Sequence, residues 1–353
     1  MGIRRLLNLG DNGVLGLDIG SSSVKTVGLR KDDRGYAVTT AGIANINSSG
    51  SSSNLIRKSS AVRAIQDCLA HTAARTKLVV CSLSGPEVVV RDFAFHAMPL
   101  EEIEGAIELE ASQVCPFNVA DITVDYQLMS NDNDNIDGIL VALPNNLINN
   151  KLQITKEARL DCTMIDVDGL ALLNCFNEFE KPDPGQTIVI LNIGGMHATL
   201  VIMDENGLPS IRDIKHAGNA IMNQVALARN MSAAEVGRIL SEGSAEEKAQ
   251  LGPSLEKACR GLVEDVNTTS RFYKTQHKTA TFERMHVCGG FSLVEGFVDV
   301  LNEQLPIEVV GWNPFDNMHR DASFSQYPDD GEDILRTQGP VLAVAAGLAL
   351  RSI

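Results

Sequence analysis

The fold class of this 353-residue chain is decided by one segment, LGLDIGSSSVK, which spans residues 15–25. Apolar runs at 14–18 and 24–29 flank a Gly-Ser-Ser-Ser sequence, which predicts two strands joined by a tight turn. Such a turn presents backbone N–H groups and hydroxyls that can surround a phosphate. On its own, such a hairpin is common and favours a purely structural turn. As a site, it predicts a carboxylate that holds Mg²⁺ through water and a set of phosphate contacts: Asp18 for the metal, and Gly20, Ser21, Ser22, Ser23 and Lys25 for the phosphates.

The same pattern returns in the second half of the chain. Residues 188–200 read IVILNIGGMHATL, and Asn192 stands 174 positions after Asp18. Two similar hairpins so far apart predict two duplicated halves that hold phosphates between their turns. The second turn adds four residues to the predicted nucleotide site: Asn192, Gly194, Gly195 and Thr199.

A third glycine turn follows a short apolar strand at 285–288, in the sequence VCGGFSLVEG. A strand that leads into two glycines and then a helix lets a flat purine ring approach the backbone closely. The residues predicted to receive adenosine are Gly289, Gly290, Phe291 and Ser292. Each turn alone is a weak signal, and the three in this order are a strong one.

In this order the three turns resemble the phosphate-1, phosphate-2 and adenosine motifs of the actin/Hsp70/sugar-kinase superfamily. Within it, the chain most resembles the PilM family of type IV pilus assembly proteins. Other segments carry this likeness: Glu110-x-x-Gln113-x-x-Pro116-Phe117, and residues 165–168, 271–273, 313–315 and 339–351. The likeness covers nearly the whole chain, the main exceptions being a Ser-rich stretch at 48–60 and a loop predicted at 317–333.

The resemblance implies an α/β, actin-like fold: duplicated ribonuclease-H-like halves around a nucleotide cleft, with an inserted FtsA-like subdomain called 1C. A helix opening at Pro99 and a hairpin that ends near residue 143 match this insertion. The predicted boundaries are 1–95, 158–184 and 336–353 for subdomain 1A, 96–157 for subdomain 1C, and 185–335 for the second domain.

The resemblance also implies cofactors and partners. ATP with Mg²⁺ is the expected ligand, with Gly194 and Gly195 opposite the first turn. The expected partner is the N-terminal segment of a PilN-like membrane protein, bound in a groove beside subdomain 1C, and pilus motor ATPases are a further class of partner. The expected location is the cytoplasm, peripheral to the inner membrane, with membrane contact only through the partner.

One departure from the superfamily pattern affects the chemistry. The superfamily usually has Asp at the position of Asn192, and an amide lacks the charge that organises a metal-bound water or acts as a general base. We therefore predict slow or absent ATP hydrolysis with nucleotide binding retained, and complete loss of binding is the alternative. Two other functions stay open at this stage: a small-molecule kinase of the same fold, and an FtsA-like division protein, which would carry a C-terminal amphipathic helix.

Composition narrows the remaining classes. The 30 Lys and Arg residues against 45 Asp and Glu give a net charge of −15, which argues against nucleic acid as a partner. The seven cysteines are scattered, which favours reduced core thiols. The spacing of apolar residues further predicts a helix at 61–73 and a long helix at 254–275. A polar, acidic sequence predicts a loop up to about residue 333.

Overall fold

The computed structural model describes residues 13–47, 54–72, 74, 76–131, 135–183, 185–204, 207–278 and 280–351. The strands, in chain order, are β1 (Leu15–Ile19), β2 (Ser23–Asp32), β3 (Gly35–Asn45), β4 (Leu78–Leu83), β5 (Val89–His96), β6 (Ile122–Asn131), β7 (Asn135–Pro144), β8 (Asp161–Val167), β9 (Ile188–Ile193), β10 (Ala198–Met203), β11 (Pro209–Ile214), β12 (Arg284–Cys288), β13 (Glu308–Gly311) and β14 (His319–Tyr327).

The helices are α1 (Asn54–Ala70), α2 (Leu100–Val114), α3 (Asn145–Glu157), α4 (Asp168–Glu180), α5 (Gly218–Arg229), α6 (Ala233–Glu242), α7 (Ala245–Ala258), α8 (Arg260–Gln276), α9 (Phe297–Gln304), α10 (Ile334–Thr337) and α11 (Ala343–Leu350). The chain divides into two compact units. The first comprises Met1–Leu83, Asn150–Lys181 and Trp312–Ile353, and the second comprises Ser84–Asn149 and Pro182–Gly311.

The first unit is built on a six-stranded sheet with the order β14-β3-β2-β1-β4-β8. One face carries an apolar core formed with α1 and α3. Against the central strand packs α11, whose sequence is almost entirely Ala, Gly, Val and Leu. The approach is close enough that a Cβ on Gly16 would overlap the carbonyl oxygen of Ala345, and one on Gly347 would overlap that of Ala171. Small residues at the end of the chain are therefore required for this packing.

The second unit repeats the central part of that arrangement. Its five-stranded sheet has the order β11-β10-β9-β12-β13, in which β9 pairs antiparallel with β10 and parallel with β12. In the first unit, β1 likewise pairs antiparallel with β2 and parallel with β4. The predicted duplication of an actin-like α/β half is confirmed by these matching strand orders.

A three-stranded antiparallel sheet, β5-β7-β6, also belongs to the second unit. Helix α2 covers one face through Ile103 and Ile107, which are buried against Phe93 and Leu140. The predicted helix after Pro99 and the predicted hairpin are thus confirmed. The three predicted subdomain ranges stay a prediction, since the two compact units are a coarser division.

Several sequence predictions were wrong in detail. Residues 319–327 form β14, which pairs with β3, and not a loop. The strand is polar because it lies at the edge of its sheet and is partly exposed to solvent. Helix α1 begins at Asn54, inside the Ser-rich stretch at 48–60 and before the predicted start at residue 61; residues 48–53 lie outside the described ranges. The predicted long helix is two helices that meet at Cys259.

Candidate functional site

The first turn joins β1 to β2 and carries a charged pair at its base. Asp18 and Lys25 are direct partners across the hairpin, and the Nζ atom of Lys25 lies 3.0 Å from a carboxylate oxygen of Asp18. The turn closes with a hydrogen bond from Gly20 N–H to the carbonyl of Ser23 at 3.1 Å. Ser21 and Ser22 are exposed at the tip. The turn therefore combines open hydroxyls with an ammonium group held on a nearly buried carboxylate.

A second lysine reaches the same turn. Lys151, from α3, donates a hydrogen bond from Nζ to the carbonyl oxygen of Ile19 at 3.3 Å. The sequence analysis missed this residue, because Lys151 lies 132 positions from Ile19 and only the packing of α3 on the sheet brings them together. Two ammonium groups beside one glycine-serine turn are suited to binding an anion.

The second turn joins β9 to β10 and has the same backbone closure as the first. Gly194 N–H donates to the carbonyl of His197 at 3.1 Å. The pair at its base is Asn192 and Thr199, which are direct partners across this hairpin. Helix α5 begins beside the turn, and the N–H groups of Gly218 and Asn219 donate to the carbonyls of Gly194 and Gly195. The first amides of α5 are thus satisfied by turn carbonyls.

Thr199 is buried and its hydroxyl donates to Asp213 Oδ1 at 2.8 Å. The other carboxylate oxygen of Asp213 accepts from Gly85 N–H, also at 2.8 Å. Asp213 therefore connects β10, β11 and the segment that leads into β5. This carboxylate was not a predicted site residue, because only the strand register places it opposite Thr199.

The third turn follows β12 and presses on the end of β9. Gly289 has a φ of 90°, and a Cβ there would lie 2.6 Å from the carbonyl oxygen of Ile193 and 2.7 Å from its nitrogen. Glycine is required for both reasons. The Ser292 hydroxyl donates to the carbonyl of Gly289 at 2.7 Å. Gly290 begins a 3₁₀ turn, and a Cβ there would meet open space.

The side chain of Phe291 belongs to the core beneath this turn. It is buried, and its ring packs edge-on against that of Phe297, with 5.0 Å between the ring centroids. It also lies against Gly218 at the start of α5. Only the backbone of Phe291 therefore remains part of the predicted adenosine site. Turns two and three meet in one place, since Asn192 accepts from the thiol of its strand partner Cys288 at 3.8 Å.

Residues from other segments that carry the family likeness have structural roles. Asp166 is buried and forms an ion pair with Arg351 at 2.7 Å; burial raises the pKa of Asp166 while Arg351 opposes that rise. Helix α4 begins at Asp168, and the preceding position, Val167, makes no side-chain cap bond. Asn313 caps Phe315 N–H and donates to the carbonyl of Leu335.

Helix α2, in the predicted 1C region, presents an acidic face to solvent. Glu101, Glu102, Glu104 and Glu108 are exposed on α2, opposite the apolar side that covers the sheet. Leu109 and, on β6, Tyr126 are exposed large apolar side chains of the same region. No helix in the described ranges has both the length and the apolar character needed to cross a bilayer.

Duplicated sheets with glycine turns at equivalent strand ends define a protein of the actin-like class. A family model described as type IV pilus assembly protein PilM matches residues 16–353. The chain belongs to this family.

Solved structures show the same fold. A chain of a "PilM-PilN type IV pilus biogenesis complex" is 20% identical, with a TM-score of 0.82 over 97% of this chain and 99% of that chain. The ethanolamine utilization protein EutJ from Carboxydothermus hydrogenoformans is 11% identical, with a TM-score of 0.56 over 97% of this chain and 90% of that one. A diol dehydratase-reactivating factor in nucleotide-free form is 10% identical, with a TM-score of 0.53 over 96% and 98%.

Proposed function

We propose that this protein is an actin-like scaffold of type IV pilus assembly that binds ATP with Mg²⁺ and holds the N-terminal segment of a PilN-like membrane protein. Membership in the PilM family supports the role in pilus assembly. The proposed location is the cytoplasmic face of the inner membrane, reached through the partner. An acidic protein of net charge −15 gains no general attraction to anionic lipid.

The groups gathered at the first turn are the main support for nucleotide binding. Exposed hydroxyls of Ser21 and Ser22, the Lys25 ammonium and the Lys151 ammonium all lie at this one strand end. In the proposal, Lys25 and Lys151 neutralise phosphate charge. The backbone around Gly194, Gly195 and Gly289 to Ser292 receives the rest of the nucleotide.

The residues fit a magnesium ion that the nucleotide carries. Mg²⁺ is usually bound through one or two carboxylates plus substrate phosphates and keeps several waters. The first turn supplies one such carboxylate, Asp18, whose Oδ2 already faces Lys25. Within the described ranges, no group of three or more His, Cys, Asp and Glu side chains could hold a metal ion. When bound, the ion would screen phosphate charge, and Asp18 would orient its waters.

Turnover is proposed to be slow or absent. Asn192 stands where the first hairpin has Asp18, and its amide oxygen accepts from Cys288. An amide cannot take a proton from an attacking water. The protein is therefore proposed to use the nucleotide as a bound ligand that sets its conformation, and not as a fuel at high rate.

The proposed peptide site borders α2. A structurally similar chain comes from a PilM-PilN type IV pilus biogenesis complex, which supports a PilN-like partner. Glu104 and Glu108 are one helical turn apart and exposed, so they present adjacent negative charges to solvent. Such a surface favours a basic segment, and an extended chain can dock beside it. Residues 96–157 are proposed as the subdomain that carries this site.

Peptide titration tests the proposal. The probe is a synthetic peptide with the N-terminal sequence of a PilN-like membrane protein, and calorimetry measures its binding. We expect saturable one-to-one binding that weakens about tenfold in Glu104→Lys/Glu108→Lys, since two attractive charges become repulsive. The control is Glu256→Lys/Glu264→Lys, which makes the same charge change at exposed positions of α7 and α8. Absence of binding, or equal loss in both variants, would contradict the peptide site.

A further inference from the structure

The negative charge of this chain is concentrated in one part of the sequence. Residues 92–150 contain 11 Asp and Glu side chains and neither Lys nor Arg. They supply most of the net charge of −15, and they include α2, β6 and β7. An acidic surface of this kind attracts basic surfaces and repels other acidic ones. The three-stranded sheet with its covering helix is therefore suited to contact a basic surface.

The exposed face of α2 combines this charge with an apolar side chain and a notch. Leu109 is 62% exposed, and glutamates flank it on this face: Glu101, Glu102, Glu104 and Glu108. Gly105 lies one helical turn before Leu109, and a Cβ there would meet no described atom within 4 Å. Glycine inside a helix is less favourable than alanine, and no close neighbour among the described residues requires it here. The missing side chain leaves a notch beside Leu109 that is open to a side chain from outside.

The C-terminal end of α8 has the opposite charge. Residues 266–282 contain no Asp or Glu, and Arg271, Lys274 and Lys278 are exposed there. The Lys274 ammonium lies 4.4 Å from the centroid of the Phe282 ring. None of the ion pairs within the described ranges includes any of the three cations. Their charges are therefore available to an acidic surface.

One large apolar side chain lies among these cations. Phe272 is 60% exposed, whereas the next residue, Tyr273, is buried in the core of the second unit. The exposed face of α2 and the end of α8 thus correspond to each other. Each presents one large apolar side chain flanked by like charges, and the charges of the two surfaces have opposite signs. Aromatic side chains that fill a recess are typical central residues of protein interfaces.

We propose that the end of α8 in one copy of this chain docks on α2 of a second copy. Phe272 of one copy occupies the notch between Gly105 and Leu109 of the next. Arg271 and Lys274 then face the glutamates that flank the notch. Because the two surfaces belong to different elements, the contact is heterologous, and such contacts either close into a ring or continue as a chain.

This contact and the proposed peptide site share the acidic face of α2. A peptide and a second copy would therefore exclude each other there. The contact does not rest on the peptide proposal, because it is measured with this protein alone.

Analytical ultracentrifugation of the full-length protein tests the contact. At low ionic strength, we expect the average mass of the wild type to rise with protein concentration, and high salt should abolish this association. Lys274→Glu/Lys278→Glu and Glu104→Lys/Glu108→Lys should each weaken association at least about tenfold, since attractive charges become repulsive. An equimolar mixture of the two variants should associate again, because each variant retains the surface that the other has lost.

Arg229→Glu/Lys257→Glu is the matched control for the basic surface. It makes the same change in net charge at exposed positions, and both residues lie in the last turn of a helix, as Lys274 does. Cations at such positions interact favourably with the helix dipole. The control therefore separates loss of the contact from loss of charge at a helix end, and it should associate like the wild type.

Two further variants test the apolar part of the contact. Gly105→Gln fills the notch with an uncharged residue that favours a helix, so thermal stability should not fall while association weakens about fivefold. Phe272→Ser should weaken association at least about tenfold. Leu227→Ser is its control, since Leu227 is a more exposed side chain on α5, and association should be unchanged.

Three results would overturn the proposal. The first is a wild type that stays monomeric at every concentration at low ionic strength. The second is a mixture of the two charge-reversed variants that does not associate. The third is association that Gly105→Gln and Phe272→Ser leave unchanged, since the notch would then have no part in it.

Discussion

The hairpins β1–β2 and β9–β10 have the same backbone and different chemistry. In both, the glycine two residues after the base position donates to the carbonyl three residues further along, at 3.1 Å. In both, the first strand also pairs with a parallel strand on its other side. At the base of the first hairpin stand Asp18 and Lys25, while the equivalent positions of the second hold Asn192 and Thr199. The two copies share the turn, and only the first has charged side chains at its base.

The surroundings differ in the same direction. The first turn has exposed serines at its tip and two lysines beside it. The backbone of the second turn is held in place within its own unit, since α5 donates to its carbonyls and Gly289 presses on the end of its first strand. This difference supports the proposal that the first hairpin binds an anion, whereas the second hairpin has a fixed backbone.

We expect the largest loss of stability from a substitution at Gly289, which packs against the end of β9. Gly289→Ala places a methyl group within 2.7 Å of backbone atoms of Ile193 at a positive φ, so we expect a loss of about 2 to 3 kcal/mol of stability. Urea denaturation measures it. Gly290→Ala is the matched control and should stay within about 0.5 kcal/mol, because its Cβ meets open space.

In the first turn, a Gly→Ala substitution should reduce stability less. In Gly20→Ala, the nearest atom to the new methyl group is the flexible end of Lys25, at 2.8 Å. We expect a stability loss below about 1 kcal/mol, because the lysine can move away. Equal destabilisation by Gly20→Ala and Gly289→Ala would contradict this difference in packing, since only Gly289 faces backbone atoms that cannot move away.

Lys151 should matter for the ligand and not for the fold. Lys151→Met removes an ammonium group beside the first turn, and we expect ATP affinity to fall about tenfold, the loss expected for one charged hydrogen bond. Fluorescence titration with a labelled ATP analogue measures it. Lys156→Met, at an exposed position of the same helix, is the control. An equal loss in both variants would mean that only net charge is being sensed.

The smallest effect is expected from restoring the missing carboxylate. Asn192→Asp gives the second hairpin an acid at the position of Asp18, and we expect ATP hydrolysis to rise at least about threefold through general-base help. A phosphate-release assay measures it. Asn223→Asp makes the same chemical change at an exposed position of α5 and should leave the rate unchanged. No difference between the two variants would remove Asn192 from the explanation of slow turnover.

Local patterns carried most of the fold prediction. Apolar runs and glycine turns predicted β1, β2, β9, β10 and β12, because these strands are buried on both faces. The edge strand β14 was missed and taken for a loop, because a partly exposed strand needs few apolar residues. The sequence analysis also missed residues whose partners lie elsewhere in the chain. Lys151 and Asp213 reach their partners only through packing and register, which no local pattern encodes.

The asymmetry between the two hairpins can be tested by making the first resemble the second. The double substitution Asp18→Asn/Lys25→Thr removes both members of the ion pair, so neither charge is left buried alone. Calorimetric titration with MgATP should show one site per wild-type chain and at least about tenfold weaker binding in the variant, with an unchanged urea midpoint. Equal MgATP affinity in wild type and variant would contradict the claim that the first hairpin binds the phosphates.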